Sequence, residues 1–231
     1  MGKTEGIRSA LADVTDAIVA VTLAPRCASC DAPLDAPTAG CICRSCWTIA
    51  TATPTILWSS DVITAARAGG NFDGPLRDII HALKYDGRRS LARPLARFME
   101  GAGTDVLRGA DSIVPVPLHP FRLLRRGFNQ ASDLGKALPA PLVPALWRVQ
   151  WTQSQSGLTG AERRRNVRTA FALSPLLSRR VRERSLRDRV IVLVDDVRTT
   201  GATLNACAIA LLDAGVREVR SLTAASRDRG V

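Results

Sequence analysis

Aromatic residues are scarce in this chain, 4% of its 231 residues, with a single tyrosine. A surface that reads bases by stacking needs several rings, and beside that tyrosine Trp47, Trp58, Trp147, Trp151 and five phenylalanines are the whole supply. Lysine is nearly missing, present only as Lys3, Lys84 and Lys136, so the net charge of +11 rests on arginine. No charge-free apolar run reaches the roughly 20 residues of a membrane span. Glu5, Asp13 and Asp16 interrupt the first 25 residues, and no basic stretch precedes an apolar one, so no secretory signal is expected. These absences predict a cytoplasmic protein with reduced cysteines.

Hydrophobic residues, at 46%, suffice for a sizeable core. Ile7, Leu11, Val14, Ile18 and Val21 recur by fours and threes, which predicts a docked amphipathic helix within residues 1–26. "PLRDIIHALKYDG" reads as a helix, with Pro75 in its first turn and Gly87 past its end. Residues 91–100 continue helically, "DSIVPVP" is a short buried strand ending at Pro117, and "GFNQASDLGKAL" is helical again. A strand over 190–195 leads to a helix over about 202–214, and 217–225 is a last strand. Strands alternating with helices predict an α/β fold with a parallel sheet. Residues 179–189, "RRVRERSLRDR", read as a solvated, charge-dense loop.

The strand "VIVLVDD" ends in Asp195 and Asp196 and runs straight into Thr199, Thr200, Gly201, Ala202 and Thr203. In parallel α/β sheets, ligands sit beyond the carboxyl ends of the strands. The helix that follows offers unpaired amides and a dipole that favours an anion. Gly201 permits close backbone approach, and the threonines add hydroxyl donors. Two carboxylates beside a phosphate must aim elsewhere, towards sugar hydroxyls or through water to a divalent cation. A phosphorylated ribose meets both demands. Response-regulator domains also carry adjacent aspartates, but near the amino terminus and without this threonine loop. A plain helix cap accounts for one threonine only.

Cys27-x-x-Cys30 and Cys43-x-x-Cys46 have the spacing of two knuckles on one tetrahedral Zn²⁺, a structural site. Cys41 is a competing ligand, whereas Cys207 lies on an apolar helix face and reads as core. Scattered arginines are explained as well by solvation as by binding. The clusters Arg122, Arg125, Arg126 and Arg163, Arg164, Arg165, Arg168 are the candidates for phosphate.

"VIVLVDDVRTTGAT" resembles the phosphoribosyl-pyrophosphate signature of type I phosphoribosyltransferases. Together with the cysteine pairs, "LKYDGR", "VPVPLHPFRLLRRGFNQA" and "QSGLTGAERRRNVRTAF", it is similar to the ComF/GntX family of phosphoribosyltransferase-like proteins. Arg198 departs from the apolar residue commoner there, which touches loop packing more than chemistry. The resemblance implies the type I phosphoribosyltransferase fold over 55–231, with a small zinc-ribbon-like segment at 27–50. It places Asp195 and Asp196 on the ribose hydroxyls and Thr199–Thr203 on the 5′-phosphate. The turn Pro117, Leu118, His119 would face the pyrophosphate, with Arg122, Arg125 and Arg126 in reach and Mg²⁺ carried by the substrate. His119 is open to two roles, general acid or turn residue, of which the turn is preferred. Residues 148–168, with Arg163, Arg164, Arg165 and Asn166, would form a flexible loop closing over substrate. No acceptor-recognition segment stands out, so the catalytic residues and the acceptor stay unassigned.

Two functions follow as expectations. One is transfer of 5-phosphoribose from phosphoribosyl pyrophosphate to an acceptor, releasing pyrophosphate. The other is handling of single-stranded DNA, in line with the family's association with DNA uptake, alongside other DNA-uptake proteins.

Overall fold

The computed structural model describes residues 14–19, 21–149 and 170–227. The expected loop residues Arg163, Arg164, Arg165 and Asn166, with Arg168, lie outside them, as do Ile7 and Leu11. Two units emerge, one of residues 1–53 with 73–91 and one of 54–72 with 92–231. Residues 73–91, read from sequence with the larger domain, fall in the first.

In the first unit, residues 14–19 and 21–23 are helical as predicted. The expected docking differs: Val14, Ile18 and Val21 are exposed, Val21 by 86%. The cysteine segment leads into helix α1 (Arg44–Thr51), started by the Cys43 cap, and α1 packs on α2 (Gly74–Tyr85). Leu76, Ile79, Ile80 and Leu83 recur at helical spacing and are fully buried.

The second unit is built on a five-stranded sheet. Its strands are β1 (Ile56–Ser60), β2 (Ile63–Asn71), β3 (Ser112–Pro115), β6 (Val190–Arg198) and β7 (Glu218–Ser226), in the order β1-β2-β7-β6-β3. Only the β1–β2 pair is antiparallel; β2–β7, β7–β6 and β6–β3 are parallel. β4 (Leu146–Arg148) and β5 (Phe171–Leu173) form a separate antiparallel ribbon. The fold is thus α/β with a mostly parallel sheet, as the alternation of elements predicts.

Helices α3 (Ala92–Ala102) and α4 (Thr104–Leu107) contact β2 and β7. Beyond β3 come α5 (Pro120–Arg126) and α6 (Gln130–Gly135), of which α6 packs on β3 and β6. α7 (Arg179–Ser185) precedes β6, and α8 (Ala202–Asp213) follows it. Ile191 and Leu193 share a core cluster with Leu204, Cys207 and Leu211 of α8. Alternation along the strand sends Val192 and Val194 to the other face, and all four are fully buried.

Three readings change. The strand predicted over 190–195 runs on to Arg198, so the aspartate pair lies within its last stretch of pairing. Residues 179–185 are helical, not loop: Ser178 accepts a hydrogen bond from the Val181 amide at 3.3 Å, and the buried Leu186 anchors the far end. The strands β1 and β2 had no counterpart in the sequence reading, because the alanines and glycines of "ITAARAGGN" dilute any two-residue alternation.

Candidate functional site

At the carboxyl end of β6, Asp195 pairs in register with Thr223 of β7, and one strand over Pro115 pairs with Val194. The Val116 amide continues that ladder onto the Val194 carbonyl at 2.9 Å. The turn Pro117–His119 therefore leaves the sheet beside the aspartates. Sheet pairing, rather than any local signal, brings the two predicted segments together.

Asp195 is half-buried and Asp196 buried, on opposite faces of the strand. The Asp195 carboxylate accepts from the Asp196 amide at 2.8 Å, which orients it along the strand tip. Thr223, across from Asp195, is fully buried, and its hydroxyl has no partner among the described residues. A threonine within the apolar stretch "LTAA" was the available signal for it.

Gly201 takes φ +76°, ψ −4° directly before α8. No side chain caps this helix from that position. The Ala202 amide meets Thr200 Oγ1 only at 3.4 Å, and the exposed Thr199, Thr200, Ala202 and Thr203 surround the helix start. The result is an exposed array of amides and hydroxyls suited to an anion.

Behind this loop lies Arg198. Its guanidinium stacks over the Trp58 ring at 4.6 Å and donates to Ser226 Oγ at 3.0 Å. The space where a Gly201 side chain would stand is 3.5 Å from Arg198 Nε and 3.7 Å from the Trp58 ring. β1 holds the loop a second time through Ser60 Oγ, which donates to Asn205 Oδ1 at 2.8 Å. Trp58, Ser60 and Ser226 were not predicted, since their relevance depends on contacts between segments far apart in the chain.

The residues expected on the pyrophosphate side divide. His119 Nδ1 accepts from the Phe121 amide at 3.2 Å and caps α5, consistent with a turn role. Arg122 and Arg125 are exposed, but Arg126 turns back to donate to Gln130 Oε1 at 3.0 Å. Asn129 Nδ2 donates to the Val116 carbonyl at 3.0 Å and so ties the turn to the strand end. Burial first, then the charge of Arg122, lowers the Arg148 pKa. Cys207 is core, as expected: it is fully buried, and burial, then the nearby Asp195 charge, pushes its thiol well above the usual value.

Among the described residues, Cys27, Cys30, Cys43 and Cys46 place their sulfurs within 4.8 Å of one another. Four thiolates about 2.3 Å from a tetrahedral ion stand about 3.8 Å apart, and Cys30 Sγ lies 3.7 Å from Cys43 Sγ. The donor set fits a metal such as zinc. The Cys43 amide points at Cys27 Sγ at 3.3 Å and the Cys46 amide at Cys43 Sγ at 3.5 Å, the second-layer donors that thiolates attract. Burial tends to raise Cys27, yet amide hydrogen bonds prevail and bring it down to about 6. Burial pushes Cys46 up to about 12. Cys41 is buried but outside the cluster, so the geometry groups Cys43, not Cys41, with the other three sulfurs. Ser29 Oγ donates to Asp78 of α2 at 2.8 Å and fastens the first knuckle.

A model of the phosphoribosyl transferase domain matches residues 123–231. Competence protein F of Haemophilus influenzae is 36% identical over 161 residues, covering 65% of this chain and 68% of that protein. DNA utilization protein YhgH of Escherichia coli is 35% identical, covering 63% of this chain and 65% of that protein. Competence protein ComFC of Streptococcus pneumoniae is 26% identical, covering 72% and 71%. The chain thus spans about two thirds of the length of these relatives.

Proposed function

The chain belongs to the ComF family of phosphoribosyltransferase-like proteins, and from that premise we propose that it binds phosphoribosyl pyrophosphate and transfers its 5-phosphoribose to an acceptor, releasing pyrophosphate. The observation that carries this reading is the left-handed Gly201 between the Asp195–Asp196 strand tip and the open start of α8.

In this reading the amides of Ala202 and Thr203, with the hydroxyls of Thr199, Thr200 and Thr203, hold the 5′-phosphate. Asp195 and Asp196 receive the ribose hydroxyls. The turn Pro117, Leu118, His119 and the cations Arg122 and Arg125 face the pyrophosphate, which arrives as its Mg²⁺ complex and gains negative charge as it leaves. Fixed positive groups aimed at that charge stabilise the transition state more than the ground state. Arg126, committed to Gln130, supports the turn instead. The four-thiolate cluster holds zinc in a structural role, and the protein acts in the cytoplasm.

A second reading, handling of single-stranded DNA together with other DNA-uptake proteins, is supported by the names of the relatives and by α5. Phe121 and Leu124 of that helix are exposed by 61% and 84%, beside Arg122 and Arg125.

Calorimetry with Mg²⁺–phosphoribosyl pyrophosphate on the wild type and on the double variant Asp195→Asn, Asp196→Asn tests the first reading. Saturable wild-type binding, abolished in a variant of unchanged circular dichroism, is expected. Equal affinity in both proteins removes the site. Pyrophosphate release on adding an acceptor separates transfer from binding alone.

A further inference from the structure

At the opposite end of the sheet, where β6 begins, α7 stands as a ridge between two clefts. It is pinned by its Ser178 cap, by the fully buried Leu186 and by Leu177, which packs on the core. All residues of the helix except Ser185 are exposed. One cleft, of about 680 Å³, is lined by Arg179, Arg182 and Arg187 with Glu183 and Asp213. The other, of about 440 Å³, is lined by Arg180, Arg184 and Arg189 with Asp111.

The neighbouring acids are mostly committed. Glu183 pairs with Arg187 at 3.3 Å, Asp111 with Arg189 at 3.2 Å and Asp188 with Arg217 at 3.9 Å. Among the described residues, Asp213 is the remaining acid of the two linings. Among the described residues, Arg179, Arg180, Arg182 and Arg184 have no acidic partner. They also form like-charge pairs at i,i+3 (Arg179, Arg182) and i,i+4 (Arg180, Arg184), which work against the helix. Solvation of the surface alone calls for neither the self-repelling spacing nor the clefts.

We propose that α7 and its two clefts bind the sugar–phosphate backbone of a nucleic acid without regard to sequence, at a surface separate from the phosphoribose site. The two flanks of a helix are about 10 Å apart, so no single phosphate or diphosphate reaches both arginine sets, whereas a chain of phosphates does. Among the described residues neither lining contains an aromatic, so the contacts expected are to backbone and not to stacked bases. An acidic protein partner is disfavoured, since a protein interface needs apolar or aromatic anchors at its centre, and the linings offer little beyond Leu177 and Val181. Val190, where β6 begins, and Asp196, two residues short of its far end, are about 20 Å apart at 3.3 Å per residue, so this surface does not depend on the phosphoribose reading.

The test is fluorescence anisotropy with a mixed-sequence DNA duplex and its single strand over a salt series. The wild type binds both saturably, with affinity falling as salt rises. Replacing Arg179, Arg180, Arg182 and Arg184 together by Ala flattens the log–log slope by about three to four units on duplex, at about 0.9 for each phosphate no longer neutralised. The four lysine replacements keep the slope. The Ala variant melts no lower than the wild type, because repulsion is relieved, and binds Mg²⁺–phosphoribosyl pyrophosphate as before. A slope unchanged by the Ala substitutions, or one abolished only when Arg122 and Arg125 of α5 are replaced, overturns the proposal. So does a wild type that binds polyglutamate or anionic vesicles but no DNA. Failure of phosphoribosyl pyrophosphate to bind the wild type sinks the proposed function and leaves this inference standing.

Discussion

Replacing Gly201 by Ala perturbs the phosphate loop at the residue whose backbone forces its shape. The added methyl would lie 3.5 Å from Arg198 Nε and 3.7 Å from the Trp58 ring, ordinary contact distances, so the cost is not a clash. It is conformational: an L-residue at φ +76° costs about 1–2 kcal/mol. About 0.4–1 kcal/mol returns because alanine leaves the unfolded chain less freedom. The expected net loss is about 1 kcal/mol, or about 2–4 °C in melting temperature for a chain of this size. Affinity responds further. A ligand-free loop relieves the strain by letting φ turn negative, which rotates the first amides of α8 away. Binding must then restore the strained loop, and about 1–2 kcal/mol corresponds to a loss of about 5- to 30-fold. Gly109, at φ +71° with nothing within 4 Å of its would-be side chain, is the matched control. Gly109→Ala shares the melting loss and keeps the affinity. Calorimetry with Mg²⁺–phosphoribosyl pyrophosphate on the three proteins reads the difference. If Gly201→Ala binds no more weakly than Gly109→Ala, the loop is not a phosphate cradle.

Metal analysis of protein purified without chelator should find one zinc per chain. Cys27→Ser or Cys46→Ser should lose it, whereas Cys41→Ser, outside the cluster, should keep it; retention in the first two variants refutes the four-thiolate site. Glu218 of β7 accepts from Arg220 at 2.7 Å and from Thr64 of β2 at 2.9 Å, and the Arg220 hydrogen bonds hold its carboxyl below the usual glutamate range. A depressed folded value means stability that is present above about pH 4.3, the unfolded value, and lost as pH falls through the folded one. Glu218→Gln should thus cost up to about 1 kcal/mol at neutral pH, a deficit that closes in strong acid; a pH-independent difference in urea midpoints refutes the ion pair's part. Arg198→Met should remove the stacking on Trp58 and the bond to Ser226, changing the Trp58 fluorescence and melting the protein lower. An unchanged spectrum counts against that contact.

What the sequence by itself determined is written within a few residues of chain. Two Cys-x-x-Cys pairs each set two sulfurs on one turn, so the candidate metal cluster needed only their closure onto each other. The apolar run of β6, the two aspartates near its end and the glycine before α8 lie within one short stretch, so the order strand, aspartates, threonine loop, helix was legible. So was the α/β class, since the alternation of elements is a property of the chain order.

The tertiary structure decided what depends on distant segments. Strand order β1-β2-β7-β6-β3 is not chain order, and it alone sets the turn at Pro117 beside Asp195. Trp58 and Arg198 meet because β1 is carried to the loop edge by its pairing with β2, and no pattern around either residue announces it. Residues 179–185 show the same limit in reverse. Their charge density reads as loop, because composition registers solvation but not a cap at Ser178 and an anchor at Leu186. Leu186 becomes an anchor only when a core assembled from distant segments of chain closes over it. Burial is a many-body outcome of packing, whereas spacing and turn chemistry are local, and that difference divides what could be read from what had to be seen.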